Sequence, residues 1–210
     1  MTTIIAIQGD DWAVLASDSR IASFDSEGTA YQASTLGLGM SKITTNGRYL
    51  LGAAGDVRAI NLIQHAFTPP APSVNLRGKK LDAFITTKFV PALRACFDEH
   101  GYSVVQQESK TNQAEYNSTV VAVVNATVYV LDSDYSWCSD QNGIYAIGTG
   151  SAYALGAIHA YRNQKPIATI QNAKTLATKA LQVTARLDPY TGLPIQTFSQ
   201  TINKRKPTDD

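Results

Sequence analysis

The sequence predicts a single α+β domain built from two packed sheets whose outer faces are covered by helices. Three observations in the 210 residues carry this expectation. Strand signals fill the chain as far as Gly55, two stretches of helical periodicity follow, and a second strand block and a second helix pair repeat that order before a final strand. Nothing in this order requires a parallel βαβ series. The 44% hydrophobic content supplies a core without disulfides or a structural metal.

The elements follow in order. Thr3 to Gln8 is β-branched and apolar, Gly9-Asp10-Asp11 reads as a turn, and Trp12 to Ala16 resumes the apolar run. An extended stretch after Arg20 is broken by an Asp25-Ser26-Glu27-Gly28 turn. Lys42 to Thr45 and Arg48 to Ala53 flank Asn46-Gly47, which predicts a type I′ hairpin with positive φ at both central residues. Beyond Gly55 the period changes: Val57, Ile60, Ile63 and Phe67 recur at helical spacing behind Asp56 as N-cap. Thr68-Pro69-Pro70-Ala71-Pro72 stops that helix.

Leu81, Phe84, Ile85, Phe89 and Leu93 mark a second helix, with Pro91 predicting a kink or short break, and it ends at His100-Gly101. Gln106 to Asn117 reads as a loop or irregular hairpin. Strands at 118–124 and 127–131 meet around Asn125-Ala126, and another strand covers 144–147. Helices at about 151–164 and 170–187 and a last extended run at about 194–202 complete the domain, which spans residues 1–202; residues 203–210 form a polar tail. In that tail Lys204-Arg205-Lys206 reads as solvated, with docking of a partner as the alternative.

Composition excludes several functions. With 18 Lys+Arg against 17 Asp+Glu the net charge is +1, so there is no electrostatic footprint for nucleic acid. The 17% charged residues lie below the roughly 25% of an average soluble domain, which hints at surface covered by copies of the chain. No apolar run reaches membrane-spanning length, and the first residues lack the basic and long apolar regions of a signal peptide, so a cytoplasmic protein is expected. Cys96 and Cys138 read as reduced thiols, with a disulfide as the alternative. His65, His100 and His159 fall in no metal-ligand spacing, and no metal or cofactor is expected. Gly148-Thr149-Gly150, opening a helix, could cradle an anion on backbone N–H groups.

The chemically suggestive feature is the start. Removal of Met1 would leave Thr2 with a free α-amine beside its own hydroxyl. Such an amine titrates near 7.7–8.0, suited to a general base at neutral pH, and a threonine activated by it is a known nucleophile arrangement. Thr2-Thr3-Ile4-Ile5-Ala6-Ile7, followed by Val14-Leu15-Ala16-Ser17-Asp18-Ser19-Arg20, resembles the opening strand pair of the β-type proteasome subunits and the bacterial peptidase HslV. Met40-Ser41-Lys42-Ile43 and Gly52-Ala53-Ala54-Gly55-Asp56 resemble the same family's lysine and glycine segments. Ile147-Gly148-Thr149-Gly150-Ser151 resembles its Gly-Ser-Gly-Ser motif, and Asp188-Pro189-Tyr190-Thr191-Gly192 its Asp-x-x-Ser-Gly motif; Thr149 and Thr191 replace serines and keep a hydroxyl.

This resemblance covers residues 2 to about 202 and implies a four-layer αββα sandwich of the N-terminal nucleophile hydrolase class. It further implies a threonine peptidase in a homo-oligomeric ring, acting on peptides or unfolded protein, with an ATP-dependent unfoldase as a possible partner. Its catalytic set would be Thr2 as nucleophile, Lys42 and Asp18 in support, Gly52 N–H at the oxyanion, and Thr149, Asp188 and Thr191 around the amine. Ile21, Leu50 and Ala54 would line the pocket for the side chain before the cut, and all three are apolar, which points to cleavage after hydrophobic residues. Two alternatives stand beside this: a non-catalytic ring or scaffold subunit that keeps Met1, and an amidase for a small molecule with the same nucleophile.

Overall fold

A computed structural model describes residues 2–24, 30–37, 39–102, 104–105, 114–115, 118–163 and 167–202. Met1, the Asp25–Gly28 turn, most of the Gln106–Asn117 stretch and the 203–210 tail lie outside the described residues. Strands β1 (Thr3–Gln8) and β2 (Trp12–Ser17) form an antiparallel hairpin with Ile4 opposite Ser17 and Gln8 opposite Ala13. β3 (Arg20–Phe24) and β4 (Ala30–Thr35) pair with each other as a two-stranded ribbon. β5 (Ile43–Asn46) and β6 (Tyr49–Gly55) lead into helix α1 (Val57–His65).

Helices α2 (Gly78–Phe84) and α3 (Val90–Glu99) follow, then the short β7 (Val104–Val105) and β8 (Ala114–Glu115). β9 (Ser118–Val124), β10 (Thr127–Leu131), β11 (Trp137–Cys138) and β12 (Ile144–Gly148) precede α4 (Ser151–Arg162), α5 (Ile170–Leu187) and β13 (Gln196–Thr201).

Two antiparallel sheets result, one in the order β12-β1-β2-β13 and one in the order β11-β10-β9-β6-β5. Side chains alternate across each strand, so each sheet divides its residues between two faces. Ile4, Ala6, Ala13 and Leu15 of the first sheet share a buried cluster with Leu50, Val121, Val123 and Val128 of the second. The intervening residues Ile5, Ile7, Val14 and Ala16 pack instead against Ala154 and Ile158 of α4 and Leu176, Ala177, Ala180 and Leu181 of α5. On the second sheet Leu51, Val120, Ala122 and Val124 pack against Ile60 and Ile63 of α1 and Leu81, Phe89, Leu93 and Phe97 of the α2–α3 segment. Strands apolar on both faces explain why these segments read as unbroken apolar runs rather than alternating ones.

Three local differences from the sequence reading have physical causes. In the β5–β6 hairpin Asn46 pairs with Tyr49, so the central residues are Gly47 and Arg48, and Gly47 alone has positive φ, +57°. This is the type II′ pattern; Asn46 is withdrawn from the turn because its side-chain amide donates to the carbonyls of Ile63 (3.2 Å) and Phe67 (2.7 Å) at the end of α1. The type I′ turn occurs at Asn125 (φ +51°) and Ala126 (φ +58°). Asp56 occupies the N-cap of α1 without a side-chain cap bond. Its carboxylate instead accepts the Tyr102 hydroxyl at 3.3 Å. Pro91 is accommodated by a widened π turn over Ile85–Phe89, where the Val90 N–H reaches back to the Ile85 carbonyl, so the helix continues without a break.

Candidate active site

Asp18 directly follows β2 and is fully buried, and four donors converge on its carboxylate. Oδ1 accepts Thr3 N–H (2.9 Å) and Lys42 Nζ (2.7 Å). Oδ2 accepts Arg20 N–H (3.0 Å) and Gly192 N–H (3.0 Å). Lys42 precedes β5 and is as buried as its partner, at 2% against 0% exposure, so the pair is desolvated. Burial lowers the Lys42 ammonium below its ordinary 10.5, and the attraction of Asp18 opposes that effect without cancelling it. An ammonium held this way gives up a proton more readily than a solvated lysine.

Asp188 caps α5 and organises a second cluster. Its Oδ2 accepts the hydroxyls of Thr149 (2.9 Å) and Thr191 (2.5 Å), and Thr191 Oγ1 also lies 2.6 Å from Thr3 Oγ1. The β12–α4 turn reaches Thr2 and Thr3 through two glycines. Gly148 has φ +92°, and a Cβ there would sit 1.8 Å from the Thr2 carbonyl oxygen. A Cβ on Gly150 would sit 2.3 Å from Thr3 Oγ1. The Thr149 N–H donates to the Thr2 carbonyl at 3.0 Å, so this amide is committed to the chain start and not to an anion cradle. The motif positions the N-terminal residues instead.

Thr2 and Lys42 line one small cavity of about 20 Å³, room for about one water, together with Ile21, Met40, Gly55 and Val57. Leu50 and Ala54 sit in the inter-sheet cluster with Ile4 and Val121 and are not among the residues lining that cavity. Gly52 lies opposite Ile43 in β6, and a Cβ there would meet Ile4 Cδ1 at 3.1 Å and the Lys42 carbonyl at 3.2 Å, so the strand runs close beneath the lysine. The structure therefore brings Thr2, Asp18, Lys42, Thr149, Asp188 and Thr191 to the adjoining ends of β1, β2 and β12.

Sequence reasoning passed over Arg20, Gly192 and Thr3. The Asp18–Arg20 spacing was a usable signal, because an aspartate accepting the N–H two residues on is a recurrent turn. The Gly192 and Thr3 contacts join segments far apart in the chain and carry no local signal. Arg20 also donates from Nη1 to the Pro189 carbonyl at 2.6 Å, clamping the Asp188–Gly192 loop against β3. Cys96 is buried and Cys138 exposed, both as free thiols. Among the described residues no acidic, histidine or cysteine group is arranged to hold a metal ion, and no helix is long and apolar enough to cross a membrane.

Two antiparallel sheets with helices of this order, and a chain start held between the first sheet's strands, define the HslV/proteasome-type fold, and the chain has that fold. BPH of Thiobacillus denitrificans, solved in complex with epoxomicin, matches with a TM-score of 0.70 at 18% identity, covering 96% of this chain and 100% of that one. HslV of Trypanosoma brucei matches at 0.57 and 18% identity over 95% of this chain and 99% of its own. The Anbu complex of Pseudomonas aeruginosa, a helical assembly, matches at 0.59 and 19% identity over 95% of this chain and 81% of that one. No family model and no curated protein matches the chain.

Proposed function

We propose that the chain is an N-terminal threonine peptidase subunit of the HslV-like proteasome β type, with Thr2 as nucleophile after Met1 is removed. The observation that supports this best is that Thr2 and Lys42 line one cavity while Lys42 is held by the buried Asp18. In this reading residues 1–202 form a single four-layer αββα sandwich, supported by the inter-sheet cluster and the two outer helix-facing clusters. The chain works as a cytoplasmic homo-oligomer on peptides or unfolded protein, with an ATP-driven unfoldase as the candidate feeder. The assembled Anbu neighbour supports oligomerisation.

The chemistry is acyl transfer. Thr2 Oγ1 attacks the peptide carbonyl, and its proton passes to the Thr2 amine, directly or through a water. Thr149 and Thr191 each give their single hydroxyl proton to Asp188, because a carboxylate only accepts. Thr149 Oγ1 thereby keeps lone pairs for the amine N–H. Lys42 lowers the cost of charge at Thr2 Oγ1, and Asp18 holds Lys42 in place. Gly52 N–H takes the oxyanion. The amine then returns its proton to the leaving amine, and water releases the acyl group. Cleavage after a hydrophobic residue is supported by the apolar side chains of Ile21, Met40 and Val57 on the Thr2 cavity, which itself has room for only about one water and is not the pocket for that residue; Leu50 and Ala54 lie in the inter-sheet cluster.

Intact-mass spectrometry of the expressed chain should show loss of Met1, and fluorogenic peptides with a hydrophobic residue before the cut should be hydrolysed. Thr2→Ala should abolish that turnover, and epoxomicin should add mass to the parent chain but not to this variant. Full retention of Met1, or equal rates in parent and Thr2→Ala, would defeat the proposal. Thr2-dependent cleavage confined to small amides would identify an amidase instead.

A further inference from the structure

Thr3 is fully buried and is shared by both carboxylate clusters. Its main-chain N–H donates to Asp18 Oδ1 (2.9 Å), the oxygen that also takes Lys42 Nζ, and its carbonyl accepts the Asp18 N–H at 3.2 Å. Its side chain reaches the other cluster, with Oγ1 at 2.6 Å from Thr191 Oγ1. The direction of that bond follows from counting protons. Thr191 has one hydroxyl proton and stands 2.5 Å from Asp188 Oδ2, which only accepts, so Thr191 donates to Asp188 and Thr3 donates to Thr191. The relay therefore runs from Thr3 through Thr191 to Asp188, whose same oxygen takes the Thr149 hydroxyl. A Cβ on residue 150 would lie 2.3 Å from Thr3 Oγ1 and 2.9 Å from Thr191 Oγ1, so the hydroxyl pair exists only because glycine stands there.

We infer that Thr3 is a positioning residue whose hydroxyl, through Thr191, sets the Asp188–Thr149 acceptor for the Thr2 amine, while its backbone fixes Thr2 against the Asp18–Lys42 pair. This rests on the reading of Thr2 as the nucleophile. Donation into Thr191 polarises its O–H and strengthens its bond to Asp188. Without it the Thr191 bond to Asp188 weakens, the carboxylate draws the Thr149 hydroxyl closer, and Thr149 Oγ1 becomes a better acceptor for the amine N–H, which favours the protonated amine, a form that cannot act as a base.

Thr3→Val keeps shape and removes the donor, whereas Thr3→Ser keeps the donor. In the Met1-free chain Thr3→Val should lower kcat roughly tenfold with KM unchanged and move the acid limb of the kcat/KM profile to higher pH. Thr3→Ser should restore both. Thr3→Ala, which creates space rather than strain, should behave like Thr3→Val. A wild-type kcat and acid limb in Thr3→Val, or equal impairment of the Ser and Val variants, would overturn the inference. A second readout does not depend on turnover: NMR titration of the ¹³C-dimethylated Thr2 amine should give a higher midpoint in Thr3→Val. An unchanged midpoint overturns the inference even in a chain without peptidase activity, whereas absence of Thr2-dependent turnover with a shifted midpoint defeats the peptidase reading alone.

Discussion

Replacing Asp18 by asparagine tests the most heavily connected group of the site. Asp18→Asn keeps the shape but loses the charge opposite Lys42, whose side chain is only 2% exposed. The amide also offers one acceptor oxygen where the carboxylate has two, each taking two donors. If the amide oxygen faces Thr3 N–H and Lys42 Nζ, the amide NH₂ confronts the N–H groups of Arg20 and Gly192. If it is flipped, the NH₂ confronts the ammonium. Either orientation breaks two of the four hydrogen bonds and takes the carboxylate charge away from a buried cation, a loss of about 3–5 kcal/mol. For a domain of this size each kcal/mol moves Tm by about 2–4 °C, so Asp18→Asn should melt roughly 6–20 °C lower. Urea unfolding followed by circular dichroism reads the loss directly. Lys42→Met should cost less, because three backbone N–H groups still hold the Asp18 charge. The double variant should be more stable than the summed single losses by at least about 1 kcal/mol. An Asp18→Asn loss below about 1 kcal/mol, or strictly additive losses, would refute the picture of a desolvated pair held by mutual attraction.

Two further expectations concern the fold. Ala126 sits at φ +58° in the type I′ turn, a left-handed conformation unfavourable to any residue with a Cβ, so Ala126→Gly should raise stability by about 0.5–1 kcal/mol in urea unfolding. Alkaline stability should be biphasic. Lys42 is lowered in the folded chain, so between its folded value and 10.5 the unfolded chain binds more protons and stability rises with pH; Lys42→Met should lose that rise. Burial raises Tyr102 from 10.0 to about 12 and pushes Tyr49 and Tyr129 up as well, so above pH 10 the unfolded chain binds fewer protons and stability falls. The 295 nm tyrosinate absorbance owed to Tyr49, Tyr102 and Tyr129, read as the difference between the parent and a variant with phenylalanine at these three positions, should appear together with loss of the circular dichroism signal; its appearance well before unfolding would contradict the burial of these rings.

Much of the HslV/proteasome-type fold was legible because its strands and helices announce themselves locally. Ile4 to Ile7 and Val120 to Val124 are β-branched apolar runs, and Leu176, Ala177, Ala180 and Leu181 repeat at helical spacing, so element types follow from periodicity. Turn chemistry was less legible. Asn46-Gly47 has the composition of a type I′ turn, yet two carbonyls at the end of α1 recruit the Asn46 side chain and shift the turn by one residue. A type I′ turn, expected at Asn46-Gly47, occurs instead at Asn125-Ala126, a less typical pair, set by the register of β9 with β10. Pro91 predicts a kink or short break, and the irregularity takes the form of a π turn over Ile85–Phe89 upstream of it, with Phe89 and Leu93 packed in the core on either side.

The reacting residue types are legible in the primary structure: a threonine behind Met1, a lysine and two aspartates, and glycines where the chain must pass close to them. So is the order of strands and helices, because hydrophobic period and turn residues act over a few positions. The wiring of those groups comes from the folded arrangement. The sharing of Asp18 among Thr3, Arg20, Lys42 and Gly192, and the relay from Thr3 through Thr191 to Asp188, join segments up to 188 residues apart. Such bonds depend on strand register and helix docking, and these come from burying the two sheets against each other and against their helices, a collective packing effect that no short stretch of sequence contains.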